Sequence, residues 1–175
     1  MANPPIILKY SDTLPKMSAA INAQVERDIL AALDAEAKRM IKDYERSTRT
    51  WKHKPKFDSV KAVTSSGPEL LVGTDDPIYG YVDQGTRPHT IKATKGKRLA
   101  FNWAGPGSYK AKTSPGSLNS RASKQTGPTV TPKVVHHPGT KPRNFTDVVI
   151  RNAEKGFYRR MEKAIEQALK KGGLL

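Results

Sequence analysis

The chain has no cysteine, so neither disulfides nor thiolate metal sites can hold it together. Aromatic residues make up 7% of its 175 positions and the whole hydrophobic class only 36%. That is little apolar material for a compact core of this length. It predicts a modest core with exposed segments, or burial completed by neighbouring subunits. No stretch approaches the roughly 20 apolar residues of a membrane span, and the run Ile6-Ile7-Leu8 is too short for a signal peptide. The expectation is a soluble protein of a cytosol-like compartment with no membrane partner. A fourth absence is local. Between Asp83 and Asp147 there is no acidic residue, while twelve Lys or Arg fall in positions 84–146.

That gap explains most of the net charge of +15. Residues 1–83 carry 12 basic and 12 acidic side chains, and residues 147–175 carry 7 and 4. A uniformly basic chain implies nonspecific polyanion binding, whereas one basic segment implies a single face aimed at a single partner. The cations of that face include Arg87, Lys92, Lys95, Lys97, Arg98, Lys110, Lys112, Arg121 and Lys124.

Periodicity gives the fold class. Residues 1–13 read as an extended N-terminal arm, since Pro4-Pro5 blocks a helix, and residues 14–175 as a single domain. Leu14, Met17, Ile21, Val25, Ile29, Leu33 and Ala37 recur at helical spacing, predicting one long amphipathic helix over about 14–46. Period-two alternation predicts a strand at 57–64 and another at 69–74, paired as an antiparallel hairpin across Ser65-Ser66-Gly67-Pro68. Asp75-Asp76-Pro77 starts a short helical or irregular segment. Further strands are expected at 89–93, 98–103 and 130–136, the last an edge strand because of Pro132. Residues 104–129 are Gly-, Ser-, Thr- and Pro-rich and read as a long flexible polar loop. Asn144 or Thr146 is expected to cap a final helix, with Phe145, Val149, Ala153, Phe157, Met161, Ile165 and Leu169 as its apolar row. The class is α+β: a long N-terminal helix, a twisted antiparallel sheet with a long polar loop, and a long C-terminal helix.

No constellation for catalysis stands out. His53, His89, His136 and His137 lack metal-ligand spacing, and strand neighbours such as His136 and His137 point to opposite faces. Gly105-Pro106-Gly107-Ser108 lies in a Pro-rich loop, not at a strand–helix junction, so it is no phosphate-binding fingerprint. The expectation is a non-enzymatic protein without cofactor or metal.

The chain does contain an echo. Gly85-Thr86-Arg87-Pro88 returns as Gly139-Thr140-Lys141-Pro142. In each copy the Gly suits a sharp turn, the Thr hydroxyl can satisfy a backbone group in that turn, and the Pro holds the preceding cation extended and outward. With His137 and Pro138, these eight residues are the expected turn or subunit-contact positions.

The two copies sit within longer patterns, Ile78-Tyr79-Gly80-Tyr81-Val82-Asp83-Gln84-Gly85-Thr86-Arg87-Pro88-His89 and Val135-His136-His137-Pro138-Gly139-Thr140-Lys141-Pro142-Arg143-Asn144-Phe145. Together, and between two long helices, these resemble the head–tail joining and tail-completion family of long-tailed phages and prophages, the group that includes minor tail protein Z-like proteins. The resemblance implies a virion protein of the neck, assembled in the host cytoplasm. It implies a subunit of a six-copy ring that completes the tail and joins it to the capsid connector. Implied partners are further copies of itself, adjoining neck, tail-tube or connector proteins, and genomic DNA in nonspecific contact with the channel. A tail terminator capping the tube is the neighbouring alternative. A basic nucleic-acid-binding protein is the alternative from another class. Against the latter, Phe101, Trp103 and Tyr109 are the only aromatics among residues 84–144, and the first two read as strand core, not as stacking platforms.

Overall fold

The computed structural model describes residues 6–9, 19–64, 67–94, 96–108, 111–119, 126–173 and 175. Helix α1 runs over Ala19–Ser47 and helix α3 over Phe145–Lys171. The start of the first helix expected at 14–18 lies outside the described residues. Val25, Ile29, Leu33, Ala37, Met40 and Tyr44 are all buried, as the helical period requires. On α3 the buried row runs Phe145, Val149, Ala153, Phe157, Met161, Ile165 and then Ala168, with Leu169 at its margin. Steps of four residues overshoot a full turn, so the contact line drifts and an i+3 step restores it.

The helices pack on each other and share two ionic ties, an exposed one between Lys171 and Asp28 at 3.3 Å and a buried one. Glu36 of α1 is only 3% exposed and is held by the Arg160 guanidinium of α3, with Nη2 donating to Oε2 at 2.7 Å. Gly156 makes this possible, because a Cβ there would lie 2.0 Å from the Arg160 guanidinium.

Strands β1 (Ile6–Lys9), β2 (Asp58–Thr64) and β3 (Gly67–Gly73) form an antiparallel sheet in the order β1-β3-β2. The N-terminal arm is thus a sheet strand over residues 6–9, with Ile7 opposite Leu71. Leu70 and Val72 enter the core, and Lys61 reaches Asp34 of α1 at 2.5 Å. One face of the sheet therefore lies on α1, and Val60 and Leu71, partners in the register, lie on the other.

The remaining strands do not extend this sheet. β4 (His89–Lys92) pairs only with β7 (Val134–His137), and β5 (Phe101–Asn102) only with β6 (Thr129–Val130), both antiparallel. Among the described residues, the expected single twisted sheet is three small antiparallel sheets. Pro88, Pro132 and Pro138 lack the N–H needed to carry a ladder across, and they bound the short strands. The two ribbons are nested, so β4, β5, β6 and β7 make one excursion out of the body and back. Within the expected polar loop, Leu118 is buried in the core cluster, and the Gly116 N–H donates to the Arg143 carbonyl at 2.8 Å. Leu118 is a single apolar residue in a polar stretch, with no periodicity to announce it.

Candidate functional site

The base of that excursion is built by α2 (Pro77–Asp83). Asp76 caps α2 by accepting from the Tyr79 N–H at 2.9 Å, and Pro77 suits the first helical position. Its carboxylate also meets the His53 ring. Burial alone would raise the Asp76 pKa, but the His53 contact and the Tyr79 and Ile78 amides outweigh it and hold it below the ordinary carboxylate value. A depressed folded pKa gives stability that is present above the unfolded value, near about 3.9, and is lost as pH falls through the lower folded one. Asp34, held at about 2 by Lys38 and then Lys61, acts in the same acid window. Asp76→Asn should therefore flatten, without abolishing, the fall of thermal midpoint on acidification below about pH 4. An unchanged acid slope in the variant would show that the cap is not ionically coupled.

At the other end of α2 stands the residue on which the site turns. Asp83 is 4% exposed. Its Oδ1 accepts from the Phe145 N–H at 2.5 Å and the Thr146 N–H at 3.2 Å, and its Oδ2 accepts from the Thr146 hydroxyl at 2.6 Å. Its backbone carbonyl accepts from the Arg143 and Asn144 N–H groups at 2.9 and 3.1 Å. Asp83 thus supplies, from 62 positions away, the acceptor and the negative charge that a helix N-terminus needs. The expected cap at Asn144 or Thr146 is corrected by this geometry. Asn144 stands at the cap position with φ 55° and makes no side-chain capping bond, while Thr146 donates its hydroxyl to Asp83.

Immediately after Asp83 the two echo turns meet. Thr86 and Thr140 form an isolated antiparallel bridge, with Thr86 N–H donating to Thr140 O at 3.0 Å and Thr140 N–H to Thr86 O at 3.1 Å. The Thr86 hydroxyl accepts from the Thr140 N–H at 3.0 Å, so it serves the opposite turn, not its own. Gly85 and Gly139 have φ of +76° and +89°. A Cβ on Gly85 would sit 2.4 Å from the Thr140 carbonyl oxygen, and one on Gly139 would sit 2.2 Å from that of Thr86. The repeat is thus a pseudo-symmetric clasp in which each Gly lets the other turn's Thr approach.

The ladder continues outward, with His89 opposite His137 and their rings 5.0 Å apart. His137 Nδ1 accepts from the Gly139 N–H at 3.1 Å, which ties the ring into its turn. Behind the clasp, Tyr79 meets Tyr44 and Phe57 edge to face and Phe145 at a tilt, with centroids 5.2 to 5.8 Å away. Burial, then the neighbouring Asp83 carboxylate, push the Tyr79 phenol well above its usual range.

Of the expected site residues, Gly85, Thr86, Gly139 and Thr140 are brought into contact, and His137 and Pro138 lead into the second turn. Arg87, Pro88, Lys141 and Pro142 are exposed at the clasp. Lys92, Lys97 and Arg98 are exposed along the arm and Lys112 is half-buried. Lys95, Lys110, Arg121 and Lys124 lie outside the described residues. Phe101 and Trp103 are not strand core. They are 38% and 43% exposed, because no layer of the described residues packs on their two-stranded ribbon. Asp83 was missed because nothing local marks an acid at the end of one helix as the cap of another. Among the described residues, no group of three or more His, Cys, Asp or Glu is placed to hold a metal, and no helix is long and apolar enough to cross a membrane.

No known protein family matches the chain, and neither does a curated protein or a solved structure. The arrangement itself is mechanical. It is a hydrogen-bonded joint, centred on the buried Asp83, between a basic arm and a helical body.

Proposed function

We propose that this protein is a structural subunit of a phage head–tail neck, forming a ring that completes the tail and joins it to the capsid connector. One observation carries the reading. The two segments that bear the resemblance, 78–89 and 135–145, converge on a single joint through Asp83 and the Thr86–Thr140 bridge. A motif pair that forms one rigid unit is what a shared architectural element requires, and the arm it aims carries the acid-free cationic surface. In a neck, that surface faces the DNA path or an acidic face of an adjoining ring.

Negative-stain imaging of nuclease-treated protein over a concentration series, with and without a DNA duplex, tests this. Closed rings formed without DNA support the neck reading. Monomers that decorate DNA at every concentration assign the protein to the nucleic-acid-binding class instead. Reversing charge at Arg87, Lys92, Lys97 and Arg98 together should block particle joining and leave the monomer folded, because none of the four belongs to the core. Infectious particles produced at the normal level by that variant would remove the arm from the joining step.

A further inference from the structure

Among the described residues, two faces of β-structure are left uncovered. In the arm, the β5–β6 ladder extends in both directions, with Leu99 N–H donating to Pro132 O at 2.9 Å and Trp103 N–H to Pro128 O at 3.0 Å. Strand alternation then sets Leu99, Phe101 and Trp103 on one side with Val130, and turns Arg98 and Asn102 to the other. A two-stranded ribbon is marginal in water unless its apolar side is covered, and none of these side chains belongs to the core cluster. In the body, the β1–β3–β2 sheet lies on α1 with one face, and Val60 stands on the other, 63% exposed.

We infer that the apolar side of the arm of one copy packs on the outer face of the β1–β3–β2 sheet of a second copy. Charge segregation selects this arrangement. All sixteen acidic residues of the chain lie outside positions 84–146, and twelve of its cations lie inside them. Arm against arm would bring two cationic segments together with no carboxylate between them. Arm against body avoids that, because the body holds 19 cations and 16 carboxylates in near balance and Asp58 stands exposed at the end of the Val60 face. A contact between two different surfaces is heterologous, and it repeats from copy to copy until rotation closes a ring. The inference rests on the ring-subunit reading and names the two surfaces that would make the ring.

The absence of cysteine makes the test clean. Val60→Cys and Phe101→Cys each introduce a single thiol, to be linked by a bis-maleimide spanning roughly the 10 Å between packed sheets. Mixing the two variants at ring-forming concentration should give linked pairs of unlike copies, and the double variant a ladder of multiples. Each variant alone, and Tyr158→Cys on the outer side of α3, should stay unlinked. Trp103→Ala should weaken association roughly tenfold or more, as loss of an aromatic anchor does. Linkage of Phe101→Cys with itself overturns the inference in favour of arm-on-arm contact. So does an unlinked mixture at the highest soluble concentration. A single- or double-stranded DNA that shields the thiol at position 101, with no link to position 60, assigns the arm to nucleic acid and also overturns it. The two readings fail separately. Linked rings with no part in particles would sink the neck function alone, and blocked joining without the link would sink this contact alone.

Discussion

Asp83→Ala should lower the unfolding free energy by about 3 kcal/mol, because it leaves the buried Phe145 N–H and the Thr146 donors without an acceptor. Three hydrogen bonds to one carboxylate are lost at once. The negative charge at the N-terminus of α3 goes with them. Asp83→Asn keeps one oxygen and the shape and loses the charge, so about 1 kcal/mol is expected. Equilibrium urea unfolding checks both, and hydrogen exchange locates the damage. The amides of Arg143, Asn144 and Phe145 should lose protection before those of mid-α3, since they bond to Asp83 directly. A variant within about 0.5 kcal/mol of the parent would mean that α3 finds another cap, and the joint described above would lose its centre.

Gly139→Ala should cost a comparable amount, about 3 kcal/mol, for a different reason. Its φ of +89° disfavours any L side chain, and the added Cβ meets a backbone oxygen at 2.2 Å, which cannot rotate away as a side chain could. The clasp must open, and the paired Thr86 and Thr140 bonds go with it. Gly85→Ala should behave alike. The double variant should cost less than the sum of the two, because both break the same bridge. Gly107→Ala is the control. It has a similar φ of +78° but nothing within 4 Å of the new Cβ, so it should cost only the conformational strain, about 1 kcal/mol. If Gly107→Ala and Gly139→Ala lost the same stability, close approach at the clasp would not be what requires glycine there.

Some of this architecture is written in the order of residues. The apolar periods of α1 and α3 are long and regular, and from Val25 onward in α1 and Phe145 onward in α3 the stripe is buried, since a stripe that wide can be covered only by another element. The hairpin of β2 and β3 follows from alternation, although Gly67 and Pro68, expected in its turn, are the first paired residues of β3. The echo was legible as a repeat of turn chemistry, because Gly and Pro impose the same backbone demand wherever they occur.

Other features needed the third dimension. That the two echo turns clasp each other across 54 positions depends on the strands between them folding back as nested ribbons, and a sequence records turns but not which turns meet. That Asp83 caps α3 depends on where α2 ends in space, and a carboxylate carries no mark of a donor that lies 62 positions away. Alternation in β5 showed a strand but not a covering layer, so Phe101 and Trp103 could be read as core although they stand exposed. Local chemistry fixes what each segment can form. The sequence by itself therefore determined the two long helices, the hairpin and the location of the charge. Only tertiary packing decided which acceptor met which donor and which apolar faces were left without a partner.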